Sequence, residues 1–268
     1  MLFRALILIA ALLGFVLPAP GSRANTPLPL HESGKLTWGS AATFPPFEFM
    51  EDGKPVGFDI DLLDAITARM AVQSAPDLMD FKGLIPALLG GRIDAIASGM
   101  YINPERSQVV DFIPYLRVGN QMLVPKGNPL HLAALPDLCG HRLAAPVGTV
   151  YEKNAQQLAA NCQSAGKPTL TILSLTSTAA GALALKEGRA DAIVASTPTV
   201  AALIKDSPDA FETAGEPFDN TTLLGIGLPK DKPALTDAVK AAFKAIVADG
   251  TYAGLIKKYG FPPGSSLF

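Results

Sequence analysis

The stretch Ala87-Leu-Leu-Gly-Gly-Arg-Ile-Asp-Ala-Ile-Ala97 returns 97 positions later as Ala184-Leu-Lys-Glu-Gly-Arg-Ala-Asp-Ala-Ile-Val194. Each copy reads as the end of an amphipathic helix, a glycine that stops it, and a short apolar strand. Leu84, Ile85, Leu88 and Leu89 mark the apolar face of the first helix, and Leu183 and Leu185 that of the second. A helix followed by a buried strand, found twice, indicates two α/β lobes with mainly parallel sheets. Chance similarity of a common helix-to-strand turn is the alternative.

Outward from the repeat, Leu36 to Ser40 reads as the opening strand of the first lobe. A Pro45-Pro46 turn follows, then a helix from Asp61 to Met70 with Leu62, Leu63, Ile66 and Met70 on one face. Asp59 and Asp61 are expected to cap this helix and Phe58 to pack beneath it. Arg142 to Val147 opens the second lobe and leads through Gly148-Thr149 into a helix from about Tyr151 to Ala160. Gln121–Pro125 and Leu224–Leu228 read as two strands crossing between lobes, and helices at Lys232–Ala248 and Tyr252–Tyr259 complete the first. The expected class is therefore α/β, with two lobes, each a mixed, mainly parallel sheet flanked by helices, and two crossing strands as the hinge. Lobe 1 would comprise 25–122 and 224–268, and lobe 2 would comprise 123–223. Ligands of open α/β sheets sit beyond the carboxyl ends of the strands. Candidate cleft residues are thus Ala41–Phe47, Ser98–Arg106, Gly148–Tyr151 and Ser196–Thr199.

At the N-terminus, Arg4 precedes an apolar run from Ala5 to Leu17, followed by Pro18 and by Ser22-Arg23-Ala24. That run is shorter than the ~20 residues a bilayer needs, and the pattern is that of a secretory signal peptide over 1–24, cleaved near Ala24. An uncleaved anchor is the alternative. Export would make the protein periplasmic. Over the whole chain, 22 Lys and Arg face 24 Asp and Glu, with no basic block suited to a phosphate backbone, so nucleic acid is not an expected partner. The two cysteines, Cys139 and Cys162, would form a disulfide in an oxidising compartment. The competing metal or redox reading has neither a CxxC nor clustered histidines to support it, since His31, His131 and His141 are scattered. No metal and no cofactor are expected.

Several phrases in fixed order carry a resemblance: Thr43-Phe-Pro-Pro-Phe-Glu-Phe, Val56-Gly-Phe-Asp-Ile-Asp-Leu, Gly83-Leu-Ile-Pro-Ala-Leu, Asn103-Pro-Glu-Arg with Val110-Asp-Phe, Gly215-Glu-Pro-Phe and Asp249-Gly-Thr-Tyr. From about Leu36 to Phe261 the chain resembles the bacterial extracellular solute-binding proteins of family 3, the polar amino acid type. The resemblance implies a type II periplasmic binding protein fold and a receptor for an ABC importer. Such a receptor closes two lobes on an amino acid or a similar small carboxylate, passes it to membrane permease subunits, and is ordinarily monomeric.

In that family an arginine of the first lobe holds the ligand carboxylate, and Arg106 is at that position; a guanidinium fork can take both oxygens at once. A surface salt bridge to Glu105 or Asp111 is the structural alternative. The resemblance also implies that Gly148, Thr149 and Val150 offer amides at a helix start to the same carboxylate. It further makes Phe44 and Phe81 walls of the pocket and assigns Gly99 a carbonyl contact to the ligand ammonium. Three positions depart from the family. Ser196 stands where an acid usually meets the ammonium, Ala41 where an acid often reads a basic side chain, and Tyr101 where a small hydroxyl residue is usual. Burying an ammonium without a counter-charge costs several kcal/mol. With no acid at Ala41 a basic amino acid is not expected, and either Glu152 or Tyr101 with carbonyls serves the ammonium or the ligand is a carboxylate with a weaker or absent amine. The alternative function is a cyclohexadienyl dehydratase-like enzyme on the same fold. Its acid–base pair is not recognisable here, and no GxSxG, HExxH or GxxxxGK motif is present. An anchored sensory ectodomain is a further class.

Overall fold

A computed structural model describes residues 27–268; the expected signal peptide over 1–24 lies outside the described residues. The first lobe opens with β1 (Lys35–Ser40) and a small antiparallel sheet of β2 (Thr43–Phe44), β3 (Glu48–Glu51) and β4 (Lys54–Val56). Then come α1 (Phe58–Met70), β5 (Gln73–Leu78), α2 (Leu84–Leu89), β6 (Ala95–Ile96) and α3 (Pro104–Val109). Strand β7 (Val110–Pro125) crosses to the second lobe, built from β8 (Arg142–Pro146), α4 (Val150–Ser164), β9 (Thr171–Leu175), α5 (Thr178–Lys186), β10 (Ala192–Ser196) and α6 (Thr197–Asp206). Strand β11 (Phe211–Pro229) crosses back, and α7 (Pro233–Ala248) and α8 (Thr251–Lys258) finish the first lobe.

The large sheet has the order β5-β1-β6-β11-β7-β10-β8-β9. Strand β1 is parallel to β5 and β6, and β8 is parallel to β9 and β10, so each lobe has a parallel core. The crossing strands are antiparallel to each other and to their neighbours β6 and β10. They are much longer than the expected Gln121–Pro125 and Leu224–Leu228. Asp111, Pro114 and Arg117 interrupt the apolar pattern of β7, and the exposed polar run Asp219 to Thr221 hides the middle of β11. Register shifts at Ala214/Phe218, Phe218/Thr222 and Leu224/Gly225 absorb the resulting bends.

The sequence repeat is a structural repeat. After α2, the Arg92 amide donates to the Ala87 carbonyl (2.9 Å) and Gly91 to Leu88 (3.0 Å); after α5, Arg189 donates to Ala184 (2.8 Å) and Gly188 to Leu185 (3.1 Å). This is one helix stop used twice, with the glycine in the left-handed region at φ +67° and +68°. Helix α1 starts at Gly57, and neither Asp59 nor Asp61 makes the expected cap bond. Asp61 instead binds Lys258 (2.6 Å) and Tyr259 (2.7 Å), whereas Asp59 turns inward. Leu62, Leu63 and Ile66 bury the inner face of α1, and Phe58 packs edge-on to Tyr252, Tyr259 and Phe261. In the second lobe Cys139 and Cys162 form a disulfide, Cα to Cα 5.6 Å, that ties the turn before β8 to the far part of α4. No helix among the described residues is long and apolar enough to cross a membrane.

Candidate functional site

The two lobes meet along a cleft between the carboxyl ends of their parallel strands. Helix α3 is a short turn whose start is fixed by Asn103, which accepts the Arg106 amide proton at 2.8 Å, and by Pro104 in its first turn. This cap delivers Arg106 to the cleft. Its guanidinium donates from Nη1 to the Tyr101 carbonyl (2.8 Å) and from Nη2 across the cleft to the Gly148 carbonyl (3.4 Å). The ring of Phe81 lies beneath it at 5.3 Å. Among the described residues no carboxylate lies within salt-bridge distance of Arg106. Burial lowers its pKa to about 10, against the opposing pull of the Glu105 charge. The surface-pair alternative does not describe it: Glu105 pairs with Lys153 and Asp111 with Lys230. A desolvated cation with unused donors is an anion receptor.

Facing it is the start of α4. Thr149 is the N-cap: its hydroxyl accepts the Glu152 amide (3.3 Å) and donates to the Pro146 carbonyl (2.6 Å). Glu152 is engaged locally, accepting the Gly148 amide at 2.8 Å and the Ser174 hydroxyl at 2.6 Å. It does not line the interlobe cavity. Gly148 holds φ +77°, and a Cβ there would lie 3.0 Å from Lys82 Cβ of the other lobe.

Phe44, Phe81, Gly99, Tyr101, Arg106, Thr149 and Val150 line one interlobe cavity, so the structure brings together seven of the eight predicted ligand residues. The cavity measures about 40 Å³. Gly99 holds φ +50°, and a Cβ there would strike the Phe44 ring at 2.6 Å, so glycine is what allows the wall to close. The Tyr101 hydroxyl lies 2.5 Å from that of Tyr151 on the other lobe, and Asn120 Oδ1 on β7 lies 3.0 and 3.3 Å from the two, so one hydroxyl donates to the other, which donates to Asn120. Burial and the charge of Asp219 raise the pKa of Tyr101, with only partial relief from Tyr151.

The eighth residue, Ser196, is elsewhere. It is completely buried as the N-cap of α6, its hydroxyl 2.8 Å from that of Thr199 and accepting the Thr199 amide at 3.3 Å. It does not line the cavity.

The cleft also holds an acid that the sequence reading missed. Glu48, 0 % exposed, lines the cavity, and only one of its oxygens is partnered: Oε1 accepts the Ser98 hydroxyl at 2.9 Å, while Oε2 has no partner. Burial first, and the nearby Asp59 charge second, push its pKa well above the usual carboxylate range. Asp59 itself, raised to about 7 by burial, accepts the Gly99 amide (2.6 Å) and the Tyr115 hydroxyl (2.7 Å), so it braces the glycine of the pocket wall. The available signal for Glu48 was an acid between Phe47 and Phe49 in an otherwise apolar phrase, where a carboxylate needs a partner.

The model of the bacterial extracellular solute-binding proteins, family 3, matches residues 36–262. The chain is 32% identical over 251 residues to the arginine-binding protein ArgT of Corynebacterium glutamicum, covering 92% of this chain and 81% of that protein. It is 33% identical over 222 residues to ABC transporter arginine-binding protein 1 of Escherichia coli, covering 81% and 87%. Among solved structures, an ancestral arginine-binding protein bound to arginine is similar with a TM-score of 0.78 and 34% identity, over 85% of this chain and 99% of that one. With the match running through both lobes and the cleft, the chain belongs to the bacterial extracellular solute-binding proteins of family 3.

Proposed function

We propose that this protein is the periplasmic receptor of an ABC importer for a cationic amino acid, with arginine the first candidate. The observation that carries the ligand class is the pairing in one small cavity of a desolvated guanidinium, Arg106, with a buried carboxylate, Glu48, whose Oε2 is unpartnered. Arg106 and the amides at the start of α4 take the ligand carboxylate, Phe44 and Phe81 flank its aliphatic part, and Glu48 takes its cationic end. Glu48 supplies from β3 the negative charge that Ala41 and Ser196 do not, so a basic ligand becomes the better expectation. The names of the similar arginine-binding proteins support the same reading.

The protein works by binding alone. A ligand that touches both lobes favours the closed form, and the permease subunits recognise that form. Closure flexes β7 and β11, within which we place the lobe boundaries at 122/123 and 223/224. We also place signal-peptide cleavage near Ala24. Isothermal titration of the mature protein with L-arginine, L-lysine and L-citrulline tests the ligand class. Arginine is expected to bind at least about a hundred-fold more tightly than citrulline, which has nearly its shape without the charge. Equal affinities would remove Glu48 from the reading.

A further inference from the structure

Tyr101 and Tyr151 form a wall with space on both sides. In front of it is the cleft cavity of about 40 Å³; behind it is a second cavity of about 490 Å³. Tyr101, Val150 and Tyr151 line both. The rear cavity reaches Pro104 of the first lobe, Asn154 and Leu158 on α4, and Phe218 and Asp219 on β11, so it too spans the interlobe contact.

Three features say what this space suits. First, no carboxylate besides Glu48 lines the cleft cavity to meet a ligand α-ammonium: Ser196 is sealed in its cap, and Asp59 and Glu152 lie outside the lining. With Glu48 engaged by the side-chain cation, a neutral, acylated α-nitrogen meets a smaller desolvation cost there than an ammonium. Second, the wall offers hydroxyls and the Asn120 carbonyl oxygen, now bonded among themselves. A peptide unit can accept from one hydroxyl and donate to Asn120 Oδ1 in their place. Third, the rim carries Asp219, exposed and without a salt-bridge partner among the described residues, whereas the rim acid Glu105 is neutralised by Lys153.

From this arrangement we infer that the rear cavity is a second ligand subsite, which receives the N-terminal residue of a dipeptide whose C-terminal residue is cationic. The C-terminal carboxylate sits on Arg106, the peptide unit replaces the Tyr101–Tyr151 hydrogen bond, and the N-terminal ammonium meets Asp219. The inference rests on the proposed function of the cleft and extends its ligand class from free amino acids to short peptides.

The test is isothermal titration of the mature protein with L-arginine and with L-alanyl-L-arginine, on the wild type and on the Asp219→Asn and Asn154→Trp variants. Both substitutions are at exposed positions outside the cleft, and thermal unfolding checks their fold. The dipeptide is expected to bind about ten-fold more tightly than arginine, and each variant to remove most of that advantage while leaving arginine within about two-fold. Arginine binding with no dipeptide preference, or with a preference that neither variant alters, overturns the subsite and leaves the cleft reading intact. Dipeptide binding that both variants weaken, with no binding of free arginine, upholds the subsite and overturns free amino acid as the ligand. Binding of neither overturns both.

Discussion

Asp94 and Thr37 are hydrogen-bonded in both directions: the Thr37 amide donates to Asp94 Oδ2 at 3.2 Å, and the Asp94 amide donates to the Thr37 carbonyl at 2.6 Å. Asp191 does the same with Arg142 in the second lobe, at 2.8 Å in each direction. The aspartate of each repeat thus pins the first strand of its lobe to the strand that follows the glycine stop. Asp94 is fully buried and also accepts the His31 amide (2.7 Å), with the Lys232 ammonium at 3.4 Å. For Asp191 burial works against ionisation, but the hydrogen bonds from Arg142 outweigh it and lower its pKa. Asp94→Ala is expected to cost about 2–4 kcal/mol, because it strands several buried donors. Asp191→Ala should cost less, about 1–3 kcal/mol, since Arg142 can turn to solvent. Urea unfolding of each variant measures both; a loss under about 0.5 kcal/mol at Asp94 would contradict this role.

Arg106 contributes little to the fold, because it is a desolvated cation without a carboxylate partner among the described residues. Arg106→Ala should leave the unfolding midpoint of the ligand-free protein unchanged or higher. Ligand affinity should fall by at least about a hundred-fold, the cost of a bidentate charge-assisted pair. Arg106→Lys should not restore it, since an ammonium lacks the planar fork. Calorimetry and thermal unfolding on the same samples separate the two effects.

Glu48 and Asp59 give the protein a pH signature. An acid whose pKa is raised on folding holds more protons folded than unfolded, so its contribution to stability is full below the unfolded carboxylate range. That contribution is lost as the pH rises through the folded value, about 7 for Asp59. Glu48→Gln should therefore gain in stability relative to the wild type as the pH rises, because the wild type loses the contribution of the protonated Glu48 and the variant does not. On the proposed function a cation is held by the Glu48 carboxylate, so wild-type affinity for arginine should rise with pH as Glu48 gives up its proton. The binding enthalpy should then vary with the ionisation enthalpy of the buffer, reporting proton release. An affinity for arginine with the same pH dependence in Glu48→Gln as in the wild type would count against Glu48.

Gly148 sets how closely the lobes approach. With φ at +77° and only 3.0 Å between an added Cβ and Lys82 Cβ, Gly148→Ala strains the turn and pushes on the opposite lobe at once. Small-angle scattering with saturating ligand should show a larger radius than the wild type, and affinity should drop about ten-fold. Identical radii would place the limit of closure elsewhere.

The Cys139–Cys162 disulfide closes a loop with a sequence separation of 23 inside the second lobe. The chain-entropy relation assigns such a loop roughly 3 kcal/mol. Cys139→Ala with Cys162→Ala should lower the unfolding midpoint accordingly. Because the bond lies away from the cleft, residual folded protein should bind with unchanged affinity.

Much of this architecture was legible because it is local. Gly91 and Gly188 stop helices through bonds to residues three to five positions back, and the apolar runs after them are buried strands whatever surrounds them. The Asn103 cap, which delivers Arg106 to the cleft, is as local, a three-residue relationship, but was not read from the sequence. The crossing strands were only partly legible, because Pro114 and the polar run near Asp219 look like loop until a long antiparallel partner satisfies the backbone.

The sequence by itself therefore determined the two α/β lobes and the helix stops within them, since each depends on neighbours in the chain, whereas Arg106 and the start of α4 were singled out through the resemblance to the family. Only the tertiary structure decided what lines the cleft. Ser196 left the expected set and Glu48, for which no role was expected, entered it, because burial and partnering are properties of the fold. A serine at a strand end found its partner three residues away in a helix cap, whereas a glutamate between two phenylalanines was carried into the cleft with one oxygen unpartnered.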